Sequence, residues 1–339
     1  METQVLQPSQ SSFELAGRLL REGQLVGMPT ETVYGLAANA FDPAAVEKIF
    51  KAKGRPMDNP LIVHISHISQ VEQLVKEFSP KARALAEAFW SGPLTIIMPC
   101  SDRVPTQVTA GLPTVAVRFP SHKAAQQIIN AAGVPLAAPS ANLSGSPSPT
   151  TAQAVYRDLK GRVPLIIDGG QCQVGLESTV ITVAADVPTL LRPGGITVEQ
   201  LRSVIGDVHI DKGVTHMLDK NAVVASPGMK YKHYAPKARV IILKGSTEEY
   251  INYVNRHSLQ GVGALCYKED CAELNVPCVV LGEKDDYSAQ AHNLFSDLRK
   301  LDEMGLTTVY ARCPETGGVG LAVYNRLIRS AGFEVIDLA

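Results

Sequence analysis

Through the first two hundred residues, short apolar runs alternate with amphipathic stretches and are broken by Pro and Gly, the pattern of an α/β fold. Residues 12–22 repeat apolar positions at helical spacing, and QLVGMP reads as a strand stopped by Pro29. Asp42 followed by Pro43 predicts a helix start, with an N-cap and a pre-set first helical position. Val46, Ile49 and Phe50 share the buried face of that helix, and Gly54 ends it. Strands are predicted at 61–65, 94–98, 114–119, 135–138, 164–168, 178–183 and 189–192. Thr197 and Gln200 form a capping box that opens one more helix, through about Val204. Many strands against few helices predict a mixed, twisted open sheet with helices packed on it.

After Gly206 the pattern decays, and residues 207–236 read as a linker ending in the basic, aromatic run SPGMKYKHYAP. A second α/β unit follows over 237–339. It has strands at RVIIL, VGALCY, CVVLG and TTVYAR, a helix opened by Ser246 and Glu249, a long helix near 287–304 and a helix over LAVYNRLIRS. This order is Rossmann-like. Gly317, Gly318 and Gly320 do not fit G-x-G-x-x-G, and no acidic residue follows at the required offset, so a nicotinamide or flavin site is not expected. The organisation is therefore 12–206, a linker or lid at 207–236, and 237–339, consistent with two domains for 339 residues.

A hydrophobic fraction of 45% against 19% charged residues excludes wholesale disorder. No apolar run is long enough to span a bilayer, and METQVLQPSQSS lacks the features of a signal peptide. The six cysteines (100, 172, 266, 271, 278 and 313) form no C-x-x-C pair and have no His at metal spacing; they read as reduced thiols of a cytosolic protein, with no metal-ligand set. A net charge of -1 argues against a large nucleic-acid footprint. Residues 103–157 nevertheless contain no Asp or Glu while carrying Arg103, Arg118, Lys123 and Arg157. That stretch is either a buried segment lacking acids or a wall of an anion-binding cavity.

Candidate chemistry lies at the strand ends. PTETVYGLAANA places Thr30, Glu31 and Thr32 in a turn read as a strand-to-helix junction, where hydroxyls and amides hold anions. KAKGRPMDNPLIVHI puts Lys51, Lys53 and Arg55 at a helix exit and Asp58 and Asn59 between two prolines, with His64 inside an apolar strand. TVAVRF aligns Thr114, Ala116 and Arg118 on one strand face. A guanidinium in such a place needs an anion, from a distant segment of the chain or from a ligand, and an external carboxylate is the expectation. APSANLSGSPSPT is dense in hydroxyls, GLESTVI starts a strand with Ser178, and LLRPGGIT ends one with Arg192. These are cations and oriented donors, with no nucleophilic triad and no metal-binding carboxylate pair. Such a set points to phosphoryl or nucleotidyl transfer.

Together these segments closely resemble the YrdC-like L-threonylcarbamoyladenylate synthases, and the linker and the ending GGVGLAVYNRLIRSA resemble the long, two-domain form of that family. The resemblance spans roughly residues 12–335, with Lys53-x-Arg55 and Ser140-x-Asn142 as its most specific marks. It implies an open twisted sheet with a concave basic cavity, plus a smaller Rossmann-like accessory domain. The implied reaction converts L-threonine, bicarbonate and ATP to threonylcarbamoyl-AMP and pyrophosphate, the first step of a tRNA threonylcarbamoyladenosine modification completed by transfer proteins downstream. It further implies that Thr32, His64, Arg118 and Ser178 hold L-threonine. Lys53, Arg55, Asn59, Thr114, Ala138, Ser140, Asn142, Ser148 and Arg192 would line the ATP site, with Lys53 and Arg55 catalytic. Mg²⁺ would arrive on the ATP, since no carboxylate cage is evident, and Lys230, Tyr231, His233 and Tyr234 would form a lid. The competing reading is a non-catalytic module that binds RNA or tRNA in the same basic cavity.

Overall fold

Residues 1–217 and 234–338 are described by the structure, a computed structural model, and they divide into two units. The first comprises Met1–Ser144 and Ser148–Val214; the second comprises Gly145–Pro147, Thr215–Met217 and 234–338.

The strands of the first unit are β1 (Gln4–Leu6), β2 (Val26–Met28), β3 (Gly35–Asn39), β4 (Ile62–His64), β5 (Leu94–Pro99), β6 (Thr114–Arg118), β7 (Leu136–Ala137), β8 (Leu165–Ile167), β9 (Thr179–Thr182), β10 (Thr189–Arg192) and β11 (His209–Ile210). They make one sheet in the order β1-β8-β2-β3-β7-β4-β6-β5-β9-β10-β11. The sheet is mixed, as expected: β4 runs parallel to β6, and β5 antiparallel to it. The helices are α1 (Gln10–Arg21), α2 (Pro43–Lys53), α3 (Pro80–Phe89), α4 (Thr106–Thr109), α5 (Lys123–Ala132), α6 (Ala152–Leu159) and α7 (Val198–Ile205).

Strand alternation builds two cores from one sheet. Val63, Val115, Val117, Ile96 and Ile181 point to one side, into a large cluster with Val46, Ile49 and Phe50 of α2. On the other side, Val26, Met28, Ala37, Leu136 and Ile167 pack with Ala16 and Leu20 of α1 and Ile128 and Ile129 of α5. Leu136 is paired with His64, so this second face continues from β7 onto β4, β6 and β5. There it carries the small apolar group Ile62, Ile97, Ala116, Val180 and Leu191, together with the polar side chains considered below.

The turn at 29–34 joins two strands and not a strand to a helix, because β3 pairs antiparallel with β2. Gly35–Asn39 is buried on both faces, so its small apolar residues show no alternation that would mark a strand. The helix start at Asp42 is as expected: Asp42 Oδ1 accepts from the amides of Ala44 and Ala45 at 2.9 and 3.2 Å. Gly54 closes α2 in the left-handed region with φ 63°, and the two caps fix where Lys53 and Arg55 leave the helix.

In the second unit, β12 (Arg239–Lys244), β13 (Val262–Tyr267), β14 (Cys278–Gly282), β15 (Thr308–Arg312) and β16 (Val335–Asp337) are ordered β14-β13-β15-β12-β16. All the pairings are parallel, alongside α8 (Thr247–Arg256), α9 (Tyr287–Glu303) and α10 (Gly320–Ser330). The parallel α/β layer is as expected. β15 separates β12 from β13, however, which is not the dinucleotide-binding order. Of the proposed lid, Lys230, Tyr231 and His233 lie outside the described residues. Tyr234 is buried, its ring 5.0 Å from that of Phe295 in α9, so this ring packs in the second unit's core. No helix among the described residues is long and apolar enough to cross a membrane. Gly54→Ala places a Cβ in the left-handed region, and urea unfolding should show a loss of about 1 kcal/mol with the fold retained.

Candidate active site

Register brings the first group of side chains together. His64 of β4 is paired with Arg118 of β6, and Arg118 with Thr95 of β5, so these three form a row across adjacent strands. All three are buried. Arg118 Nη1 donates to Thr32 Oγ1 at 2.8 Å, and Thr32 Oγ1 lies 2.9 Å from Thr30 Oγ1. Thr30 Oγ1 donates to Val33 O at 2.6 Å and accepts from the Thr32 amide at 3.2 Å, which closes the turn and fixes Thr32.

Arg118 is not without a mate in its own chain. Its Nη2 lies 2.6 Å from Glu31 Oε1, and both side chains are 4% exposed. The expectation of an unpaired guanidinium is thereby corrected. The 103–157 stretch supplies no acid, but the hairpin turn between β2 and β3 delivers one from a distant segment. Burial pushes the Glu31 carboxyl up, but the Arg118 charge and amide donors outweigh it and hold the group below the usual carboxylate range.

His64 is driven the other way. Burial first, and then the charge of Arg118, push its imidazole down to about 3, and Nδ1 lies 3.2 Å from Ile62 O. The ring is therefore neutral at working pH, with Nδ1 assigned as the donor from this contact.

Ser178 joins this row to the next cation. Its Oγ lies 2.7 Å from Thr95 Oγ1 and accepts from Arg192 Nη2 at 3.2 Å, while Arg192 Nε donates to Ser178 O at 3.0 Å. The turn after β10 can lie this close only because residue 194 is glycine: a Cβ there would sit 2.4 Å from the Thr179 amide nitrogen.

A second group forms around α2's exit. Lys53 is buried, and its Nζ donates to Ser140 O, to Asn142 O at 2.7 Å and to Asn142 Oδ1 at 3.4 Å. Burial, reinforced by the charge of Arg55, pushes the Lys53 ammonium well below the usual lysine range. Ser140 Oγ donates to Asn142 Oδ1 at 2.5 Å, so lysine, serine and asparagine lock one another. Arg55 donates to Asn59 O at 2.9 Å, and Asn59 Oδ1 is buried with no hydrogen-bond partner among the described residues. The Ala138 amide donates to Ile62 O at 2.9 Å, which ties the start of the 138–148 loop to β4. Ser148 Oγ donates to Glu177 Oε1 at 2.5 Å, and Thr114 opens β6 on the Arg118 face. Residue-type reasoning missed Thr95 and Glu177 and did not connect Glu31 to Arg118. Thr95 is one hydroxyl in an otherwise apolar strand, and only the pairing of β5 with β6 marks it.

Residues 18–194 match a family described as telomere recombination, and residues 196–332 match the threonylcarbamoyl-AMP synthase C-terminal domain. A Bacillus subtilis protein named threonylcarbamoyl-AMP synthase is 47% identical over 98% of this chain and 97% of its own length. A Pyrococcus abyssi protein of the same name is 45% identical over 96% of each. The chain belongs to the threonylcarbamoyl-AMP synthase family. The crystal structure of P. abyssi Sua5 complexed with L-threonine, 42% identical, superposes with a TM-score of 0.91 over 99% of both chains. The two-unit architecture of this synthase family is thus reproduced along essentially the whole chain. Membership in a family of transferases disfavours the non-catalytic RNA-binding reading.

The buried imidazole gives a pH test. Its folded-state value of about 3 lies below the ordinary 6.5, so as pH falls the unfolded chain takes up the proton first and stability is lost between those values. Urea unfolding at pH 7 and pH 4.5 should show that His64→Gln removes about 2 kcal/mol of the wild-type acid loss.

Proposed function

We propose that this chain catalyses the reaction of L-threonine, bicarbonate and ATP to threonylcarbamoyl-AMP and pyrophosphate. The observation that carries the reading is the buried set Glu31, Thr32, His64, Thr95, Arg118 and Ser178, which offers one cation, one anion and several hydroxyls to a small hydroxylated amino acid. It is hydrogen-bonded through Ser178 to Arg192, a cation suited to a phosphate chain.

In this reading L-threonine enters by opening the Arg118–Glu31 pair. Its carboxylate takes the guanidinium, and its ammonium meets the freed Glu31 carboxylate. A zwitterion suits such a site because both buried charges stay matched, whereas either one alone would be costly. Thr32, released from its bond to Arg118 Nη1, and Ser178 are the hydroxyl groups in reach of the threonine side chain. The threonine ammonium gives up one proton to solvent, and the resulting amine and bicarbonate form the carbamate with loss of one water. A carbamate oxygen attacks the α-phosphorus of ATP, its bond to the bridging oxygen breaks, and pyrophosphate leaves.

Arg55 and Arg192 are the permanent cations that neutralise the phosphate charge as it shifts to the leaving group, and Lys53 joins them as the bound phosphates favour its charged form. Lys53 acts first by holding Ser140 and Asn142 in the conformation that cradles the nucleotide, with Thr114, Ala138 and Ser148 as further walls. Asn59 Oδ1, buried and without a partner among the described residues, is an acceptor for an N–H of the ligand. Mg²⁺ comes with the ATP and screens its phosphates. The product is a mixed anhydride that a downstream transferase must consume, in our reading for tRNA modification. The free thiols agree with a cytoplasmic setting.

Purified protein with Mg-ATP, L-threonine and bicarbonate should release pyrophosphate and form a threonine-containing AMP adduct. Pyrophosphate release indifferent to threonine and bicarbonate would defeat the proposal. Arg118→Ala should raise the KM for L-threonine roughly a hundredfold and that for ATP less than about threefold, and steady-state kinetics showing equal damage to both would remove Arg118 from the amino-acid site.

A further inference from the structure

The six cysteines are scattered in sequence, but three of them meet in the second unit. Cys266 lies in β13, Cys278 opens β14, and Cys271 opens the short turn Cys271–Glu273 that follows β13. Cys278 is paired with Ala264, two residues before Cys266 on the same face, so the two strand cysteines are diagonal neighbours. The three Sγ atoms all lie within 4.8 Å of one another, and all three residues are free thiols. Cys266 is buried, while Cys271 and Cys278 are half-buried.

We propose that Cys266, Cys271 and Cys278 form a binding site for one soft divalent d¹⁰ cation of the zinc group. A metal–sulfur bond of about 2.3 Å at trigonal or tetrahedral angles sets sulfur–sulfur separations of roughly 3.8–4.0 Å. The triad therefore has to contract by no more than about 1 Å. Two of its members are held by strand pairing, and the third sits on a turn that can supply the adjustment.

The surroundings select the ion. Ile251, Val254, Val276 and Leu274 belong to the same apolar cluster and leave little for a hard cation. The neighbouring buried carboxylate, Asp270, is already taken, with Oδ2 at 3.1 Å from Arg312 Nε and accepting from the Tyr267 amide at 3.1 Å. Among the described residues the donor set is thus sulfur alone, with the fourth position left to water, which favours thiophilic ions.

Burial pushes the Cys266 thiol up and the Cys278 thiol up to about 11, so these two keep their protons at neutral pH when the site is empty. Binding is M²⁺ + 3 RSH → M(SR)₃⁻ + 3 H⁺, with no change in oxidation state, and it weakens toward acid. The bound ion ties β13, the turn and β14 together and raises the melting temperature.

The test uses the full-length protein, reduced and stripped with a chelator, with cadmium(II) as the optical probe and zinc(II) as its competitor. One equivalent of cadmium should saturate an ultraviolet thiolate-to-metal charge-transfer band, release about three protons and raise Tm, and zinc should abolish the band. Cys271→Ser and Cys278→Ser should each weaken binding at least about tenfold, while Cys313→Ser, outside the triad, changes nothing. Absence of the band at one equivalent, or a band that persists at full affinity in both Cys271→Ser and Cys278→Ser, overturns the site.

Discussion

Two opposite charges, Arg118 and Glu31, are held 2.6 Å apart where almost no water reaches them, and the rest of the first unit is arranged so that this is tolerable. A guanidinium does not shed its proton, so its burial requires a permanent anion. The chain meets that requirement with a hairpin turn that reaches over the end of β6, and the same turn presents Thr32 to the same guanidinium. A pair of this kind adds little net stability, because desolvation consumes most of what the attraction returns. Its value in the proposed function is that a molecule carrying both charges opens it.

The sheet supplies the geometry. The pairing of β4, β6 and β5 fixes His64, Arg118 and Thr95 in one row, while the opposite faces of those strands go into the large core. A slip of one residue in β6 would exchange Arg118 for Val117 and put the charge into the hydrocarbon cluster. The core therefore specifies the site's register. The caps of α2 and the glycine at 194 do the same at the rim, setting where Lys53 leaves its helix and how closely Arg192 approaches Ser178.

Much of this was legible from residues alone where the information is local. The Asp42–Pro43 start, the Gly54 stop and the apolar runs at 94–98 and 114–119 announce their elements through caps and alternation, and those elements appear with ends shifted by at most a residue or so. The cations at the exit of α2, the hydroxyl-dense loop at 138–148 and Arg192 at a strand end are visible locally as anion-friendly groups, and the family resemblance is what singles out Lys53, Arg55, Ser140, Asn142 and Arg192 among them. What was not legible depends on pairing across the chain. Glu31 and Arg118 are far apart in sequence, and nothing in either segment names the other. The segment after Tyr34 has helix-tolerant alanines yet forms a fully buried strand. Cys266 and Cys278 become neighbours only through the parallel pairing of β13 with β14.

The claim on which the mechanism rests, that the internal ion pair is a stand-in displaced by the amino acid, is tested most directly by a crystal structure of this protein with L-threonine bound. The account predicts the ligand carboxylate on the Arg118 guanidinium and the ligand nitrogen about 3 Å from Glu31, with the two side chains drawn apart. An Arg118–Glu31 pair still closed, with the carboxylate held by other groups, would contradict it.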